Sequence, residues 1–486
     1  MSESGPSFER FDLVVVGGGP AGQKAAIQGV KAGRSVALVE RERGLGGACV
    51  HRGTIPSKTL RDTALRLSNA KLPGDVIEVK LRSDVEVTHL VNRLDRVVRA
   101  HVSYMGEQVS RNGVVAIHGK ARFVSPTEIV VRGVDGSERG LSADTFVVAT
   151  GSRPRTPPEI PVDHEHILDS DSILSMIYLP RSLAVLGGGV IACEYASIFA
   201  ELGVEVTLID RAERPLMFMD AEIVGGFLSA FTSHRGRYLG SSEITSVRWD
   251  GIAEVETVLG SGETIRTDKV LVALGRAANV EDLKLDRVGI VANARGVIDV
   301  DENCRTKVES IYAVGDVIGP PALASTSMEQ GRRAVCHALG LDPGAATETT
   351  PIGIYTIPEL ASVGLDEVEA QRRHGSVIVG RARFSEIARG QISGCVNGFL
   401  KLVADGTGRQ LLGAQVVGEG ATELVHLAQM ALISGWEVDA FVENIFNFPT
   451  LAEAYRVAAL DVVGKRLVAG SRPRPIAPVA ASTALH

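Results

Sequence analysis

Cysteine is scarce in this chain and never closely paired. The 486 residues contain five, at Cys49, Cys193, Cys304, Cys336 and Cys395, and no two stand in a Cys-x-x-Cys spacing. An odd, dispersed set argues against a disulfide framework or a zinc site, so no metal is expected, and it fits a reducing cytoplasm. Long apolar runs are missing too: no stretch of about 18 apolar residues occurs, and the polar residues 1–10 lack the apolar segment of a secretory signal. Neither secretion nor a membrane span is therefore expected. Positive charge is not in excess. The formal net charge is −7, so neither a polyanion-binding surface nor a nucleic-acid partner is expected. Aromatic residues make up only 5%, beside 45% hydrophobic and 22% charged, the balance of an ordinary globular protein long enough for about three domains.

What the chain has instead is glycine in two repeated settings. Residues 11–16 read as a buried parallel strand and run straight into Gly17-Gly18-Gly19-Pro20-Ala21-Gly22. A helix is expected over 23–32, then a second strand over 35–39 that ends in Glu40. Gly17, Gly19 and Gly22 fill the G-x-G-x-x-G positions, where missing side chains let the backbone approach a pyrophosphate at a helix N-terminus. Glu40 is placed to accept a hydrogen bond from a ribose 2′-OH. A glycine-rich turn alone would not bring strand, helix, strand and acid in this order.

A second copy starts at residues 183–186: strand, Gly187-Gly188-Gly189-Val190-Ile191-Ala192, helix to about 202, strand over 205–209, then Asp210. Ala192 replaces the third glycine, which the fingerprint tolerates. Two such units imply two dinucleotides. Arg211 and Arg214 stand beside Asp210. A carboxylate there suits a free 2′-OH and a guanidinium suits a 2′-phosphate, so the set suits a site that takes both NAD and NADP. Either arginine would serve, and a solvated charge cluster is the alternative.

Between and after these units, helices are expected over 56–68 and 87–111, with Pro56 suited to the first helical position and Pro73 beyond the end. Strands are expected over 114–117, 128–131 and 145–149, the last ending at Gly151. Another, over 310–314, ends in Gly315-Asp316 and is followed by a helix over 325–337. From about 348 the pattern changes to strands (353–356, 377–384, 398–403, 410–417) and helices (422–433, 439–444, 451–466). Residues from 469, with Pro473, Pro475 and Pro478 among small residues, read as a disordered tail.

The segment from Gly46 to Lys58, Gly-Gly-Ala-Cys-Val-His-Arg-Gly-Thr-Ile-Pro-Ser-Lys, resembles the redox-active loop of the flavin-dependent disulfide reductases such as lipoamide dehydrogenase and glutathione reductase. Their pattern is Gly-Gly-x-Cys-x-x-x-x-Cys-Ile-Pro-Ser-Lys. Here Cys49 is the first cysteine and Thr54 stands in place of the second. A dithiol needs two sulfurs, so this site cannot cycle between disulfide and dithiol. A second departure lies far along the chain. Where those enzymes carry His-Pro-Thr-x-x-Glu, a histidine base oriented by the glutamate, this chain has Phe448-Pro449-Thr450-Leu451-Ala452-Glu453, and a phenyl ring cannot move a proton. Residues 49–58, 169–176, 193–199, 353–359 and 446–450 are similar to one branch, the soluble, Si-specific pyridine nucleotide transhydrogenases, and the match runs from about 11 to 466.

The resemblance implies an α/β fold with two Rossmann-like dinucleotide-binding domains and a C-terminal α+β dimerisation domain. The FAD-binding domain would comprise 1–160 and 291–347, the NAD(P)-binding domain 161–290, the interface domain 348–468 and the tail 469–486. It implies one FAD per subunit, NAD(H) and NADP(H) as substrates, a homodimer or larger homo-oligomer, and reversible hydride exchange between NADPH and NAD by a ping-pong cycle through the flavin. By the same resemblance Asp316 bonds the ribityl chain and Gly151 marks the exit from the flavin domain. Lys58 lies near the flavin N5, paired with Glu194, and Thr54 faces the flavin. Val190 replaces a tyrosine that gates the nicotinamide pocket in glutathione reductase. Cys49 and Cys193 read as small buried residues, His51 and His426 as partly buried structural ones. Three rivals share parts of this reading: an NAD(P)H:quinone or dye reductase on the same flavin site, a single-cysteine peroxidase or oxidase working through a sulfenic acid at Cys49, and a catalytically silent flavoprotein.

Overall fold

The computed structural model of the chain describes residues 8–71, 87–345 and 349–470. The chain divides into one unit of Met1–Leu216 with Phe231–Ala346 and another of Met217–Ala230 with Thr347–His486. Readings that fall on Pro73, on the boundary at 347–348 and on residues 471–486 lie outside the described residues.

In the first unit, Leu13, Val14, Val15 and Val16 are all buried, as a strand covered on both faces requires. Successive side chains alternate in direction, so Val14 and Val16 enter one core with Phe123, Ile129 and Phe146, while Leu13 and Val15 enter another with Ala21, Ala25 and Val335. Each such side chain contributes about 1.5–3 kcal/mol of burial. The strand, Phe8–Val16, lies inside a seven-stranded sheet ordered Val115–His118, Val36–Glu40, Phe8–Val16, Glu138–Val148, Glu128–Arg132, Lys120–Ser125. Ile311–Ala313 joins the far half of Glu138–Val148 in parallel, and the pairings among the first four strands are also parallel. The loop after Phe8–Val16 therefore opens at the carboxyl edge of a parallel sheet, where open α/β folds bind ligands.

The same unit contains a second parallel sheet of five strands, ordered Gly236–Leu239, Glu205–Ile209, Ser182–Leu186, Lys269–Val272, Ile167–Asp169. Its first three strands repeat the arrangement of the first sheet. A three-stranded antiparallel sheet, Ile244–Trp249, Val255–Leu259 and Thr264–Thr267, packs Val247, Val255 and Leu259 against Ala184, Leu186, Ile209, Val270 and Val272.

The second unit is built on a five-stranded antiparallel sheet, ordered Ile352–Ile354, Leu360–Gly364, Leu411–Val417, Phe399–Asp405, Val377–Arg383. Leu400, Leu402 and Ala404 face a core shared with the helices Ala421–Ile433 and Glu453–Gly470. Alternation puts Lys401 on the other face, where it is 2% exposed.

Several boundaries differ from the sequence reading. The first helix is Pro20–Lys31 rather than 23–32, because Gly19 takes the N-cap and Pro20 the first turn. The helix after the loop is Thr54–Lys71, which places Pro56 third in the helix, still among the orphan donors of the first turn. The last helix runs through Gly470, so residues 469 and 470 continue a helix rather than start a tail. Strand Leu360–Gly364 and helix Glu367–His374 were not anticipated.

Candidate active site

The first glycine loop shows which glycines are needed by the fold and which leave space. Gly17 has φ +108°, and a Cβ there would lie 2.3 Å from the Ala149 carbonyl oxygen; at Gly22 it would lie 1.8 Å from the Gly17 oxygen. These two close the turn and the helix onto the sheet. Gly19 is different, since a Cβ would meet nothing nearer than Gly47 Cα at 3.9 Å. The backbone is thus tight behind the loop and open in front of it, which is the cradle a pyrophosphate needs. Glu40 closes the side: its Oε2 accepts from the Gly18 N–H at 2.7 Å and its Oε1 from the Glu42 N–H at 2.9 Å.

The loop carrying Cys49 folds back onto this cradle. Gly46 has φ +124° and its N–H donates to the Gly18 carbonyl at 2.9 Å. The short helix Gly47–His51 holds Cys49, and His51 Nε2 lies 3.2 Å and 3.1 Å from the carbonyls of Gly44 and Leu45, fixing the loop. Cys49 is partly exposed rather than buried, because its helix is a single turn at the edge of the site. Burial still pushes the Cys49 thiol up, and the neighbouring Thr54 hydroxyl and Lys58 charge only partly offset this. All five cysteines lie among the described residues and are free.

One turn into the helix Thr54–Lys71, Lys58 Nζ lies 2.6 Å from Glu194 Oε2 and donates to Ser57 Oγ at 3.3 Å. Glu194 comes from the helix Val190–Glu201 that follows the second glycine loop, so this ion pair ties the two repeats together. Cys193, beside it, is fully buried, and its thiol is strongly raised by burial.

Asp316, on the short helix Gly315–Ile318, accepts from Ser152 Oγ at 2.6 Å; Arg276 Nε donates to that same Oγ at 2.7 Å and Arg276 Nη2 to the Ser152 carbonyl at 2.8 Å. Ser152 follows Gly151, whose φ is +65°. Arg52, from the cysteine loop, reaches Asp171 Oδ2 at 3.5 Å. Burial raises the Asp171 carboxyl above its usual range, against the pull of Arg52 and Arg276. Ser152, Arg276, Arg52 and Asp171 were missed in the sequence. The available signal was positional: Ser152 and Arg276 each follow a glycine just past the end of a parallel strand, at Gly151 and Gly275.

The second glycine loop repeats the division of labour. Gly187 has φ +111° with a Cβ position 2.6 Å from the Ala273 oxygen, whereas Gly189 has nothing within 4 Å. Asp210 lies against Gly188, and its Oδ1 accepts from the Arg211 N–H at 2.8 Å. Arg214 is half-buried and donates to the Leu216 carbonyl at 3.1 Å. Arg211 is exposed.

In the second unit, Phe448 is 68% exposed and Glu453 accepts from the Thr450 N–H at 3.4 Å. His426 is exposed rather than partly buried, with Nδ1 2.8 Å from Gln429 Oε1, because it sits on the outer face of Ala421–Ile433. No described helix is long and apolar enough to cross a membrane, and among the described residues no group of three or more His, Cys, Asp or Glu is arranged to hold a metal ion.

Residues 11–331 match the family model of the pyridine nucleotide-disulphide oxidoreductases, and residues 350–459 match that of their dimerisation domain. A soluble pyridine nucleotide transhydrogenase of Mycobacterium bovis (strain BCG / Pasteur 1173P2) is 44% identical over 462 residues, covering 94% of this chain and 98% of that protein. Another, from Vibrio vulnificus (strain YJ016), is 41% identical over 463 residues, covering 93% and 97%. Among solved structures, LpdA from Mycobacterium tuberculosis aligns with a TM-score of 0.85 at 27% identity, over 92% of this chain and 99% of that one. The Cu(II) complex of the HOCl-induced flavoprotein disulfide reductase RclA from Escherichia coli aligns with a TM-score of 0.84 at 24% identity, over 93% and 99%, a likeness of fold alone.

Proposed function

The chain belongs to the pyridine nucleotide-disulphide oxidoreductase family, and from that membership we propose that it is a transhydrogenase: a flavoprotein that exchanges hydride reversibly between NADPH and NAD without a redox-active disulfide. The observation that carries this is Thr54 standing after Cys49 where a second sulfur would be, with both glycine loops intact.

FAD, held by Gly17, Gly19, Gly22, Glu40, Gly151 and Asp316, would supply hydride acceptance and donation at its isoalloxazine N5. The chain's own residues bind, orient and polarise. Gly187, Gly189, Asp210, Arg211 and Arg214 form one nucleotide site, which NADPH and NAD would use in turn, giving ping-pong kinetics. Thr54 keeps the sulfur position polar but redox-silent. Lys58, fixed by the nearly buried Glu194, sets a positive charge beside the loop that favours the arriving negative charge of the hydride. Phe448 offers no base at the position where the disulfide-reducing relatives carry one. The dimerisation-domain match supports a homodimer or larger homo-oligomer; the relatives' names say soluble, and within that we propose the cytoplasm as the location.

We assign 1–160 with 291–347 to the flavin, 161–290 to the pyridine nucleotide and 348–468 to the subunit interface. The test is substrate choice by the purified holoenzyme. NADPH should reduce thio-NAD rapidly, and neither lipoamide nor oxidised glutathione should be reduced; disulfide reduction at a comparable rate would overturn the reading.

A further inference from the structure

Two arginines follow Asp210, and the structure makes them unequal. Arg214 is spent on the turn: it donates to the Leu216 carbonyl at 3.1 Å, and the Leu216 N–H in turn donates to the Gly188 carbonyl at 2.8 Å. It therefore braces the loop against the glycine fingerprint. Arg211 is 77% exposed, and its Nη2 lies 3.5 Å from Oε1 of Glu243, itself 67% exposed.

Although both side chains reach into solvent, their backbones are held at fixed separation. Ser242, next to Glu243, donates its N–H to the Asp210 carbonyl at 2.9 Å, and the Ser241 N–H donates to the Ala212 carbonyl at 2.9 Å. The Tyr238 hydroxyl donates to that same Ala212 carbonyl at 2.9 Å. Glu243 is thus presented to Arg211 by the fold, not by chance side-chain drift.

The chemistry of the substrates gives this pair a use. NADP(H) differs from NAD(H) only by a 2′-phosphate, which attracts a guanidinium and is repelled by the Asp210 carboxylate. We propose that Arg211 is the reader of the 2′-phosphate and that Glu243 is a specificity-determining residue, holding Arg211 when no phosphate is present and so setting the preference between NADP(H) and NAD(H). It rests on the reading that both nucleotides use this site. When NAD(H) binds, Arg211 stays on Glu243 and its charge remains compensated. When NADP(H) binds, the guanidinium leaves Glu243 for the phosphate, and the loss of that contact subtracts from the gain. An exposed single-contact pair is weak, so Glu243 tunes the ratio by a small factor and does not gate entry.

The test is calorimetric titration of the FAD-loaded protein with 2′,5′-ADP and with 5′-AMP, for the parent, Glu243→Gln, Arg211→Gln and the double variant. All changes are at exposed positions, and unfolding temperatures check that the fold is kept. Glu243→Gln should tighten 2′,5′-ADP by about three- to fivefold and leave 5′-AMP within about twofold. Arg211→Gln should weaken 2′,5′-ADP by about tenfold or more, and on that background Glu243→Gln should have no further effect. An unchanged affinity in Glu243→Gln, or the same tightening without Arg211, overturns the proposal while leaving the nucleotide site standing. Failure of the parent to bind either probe overturns both.

Discussion

Lys58 Nζ and Glu194 Oε2 lie 2.6 Å apart, joining the helix behind the cysteine loop to the helix behind the second glycine loop. A cation held by a carboxylate that is 4% exposed is fixed in place before any substrate arrives. Lys58→Met should therefore slow hydride transfer by about 100-fold in stopped-flow reduction by NADPH, with a smaller change in nucleotide affinity. Glu194→Gln should cost less, since the cation remains but is less well oriented. An unchanged reduction rate in Lys58→Met would remove Lys58 from the mechanism.

The glycines offer a cleaner contrast. Gly17 and Gly187 have φ of +108° and +111° and would clash with backbone oxygens at 2.3 Å and 2.6 Å, so alanine at either should prevent normal folding. Gly189 has φ −81° and nothing within 4 Å of its Cβ position. Gly189→Ala should keep the parent unfolding temperature yet raise the KM for both nucleotides by on the order of tenfold, because the methyl fills the space a pyrophosphate needs. Equal loss of stability in Gly189→Ala and Gly187→Ala would mean that the loop is built for packing alone.

Cys49 should be dispensable. Its thiol is pushed above the ordinary 9.0 by burial, so near neutral pH the thiolate fraction is lower than in a free cysteine. Alkylation of Cys49 by iodoacetamide should be slow at pH 7 and accelerate only as pH rises past 9, followed by mass spectrometry of the peptide. Cys49→Ser should transfer hydride within about twofold of the parent. Abolished turnover would point to a sulfur-based mechanism instead.

The buried cation of the second unit gives a pH-dependent stability. Lys401 Nζ lies 2.9 Å from Asp220, 3.1 Å from Glu222 and 2.8 Å from Glu367. Bonds to Arg381 and then to Lys401 hold Glu222 below its ordinary 4.5, so its contribution is present above that value and lost as pH falls through the lowered pKa. Burial pulls Lys401 down, but its three carboxylates outweigh this and raise it above 10.5; its contribution is present below that value and lost as pH rises through the raised pKa. Lys401→Met should destabilise the unit by about 3–5 kcal/mol at neutral pH, with the gap to the parent narrowing below pH 4.5 and above pH 10.5 in calorimetric scans. A gap independent of pH would show that packing, not charge, accounts for it.

What could be read in the sequence was what local chemistry dictates. Gly17 and Gly187 announce themselves because a positive φ and a close backbone approach admit no other residue, and the valines at 14–16 because a doubly covered strand must be apolar throughout. Thr54 and Phe448 stood out only against a family pattern, since each replaces a reactive group and neither is unusual by itself. Ser152 and Arg276 carried only the signal of a glycine before them at a strand end, because their partner, Asp316, lies far along the chain and no local spacing reports that meeting. Lys401 reads as an outward residue of an alternating strand; only the arrival of Asp220, Glu222 and Glu367 makes its burial tolerable. Strand Leu360–Gly364 is specified by its partner Leu411–Val417 more than by its own five residues.

The most direct test of an active site without a sulfur relay is an anaerobic titration of the purified yellow protein with NADPH, followed by NAD, watching the visible flavin absorbance. About one equivalent of NADPH per flavin should bleach the band completely, and NAD should restore it at once. Uptake of two equivalents, or a long-wavelength thiolate-to-flavin band on the way, would contradict the account.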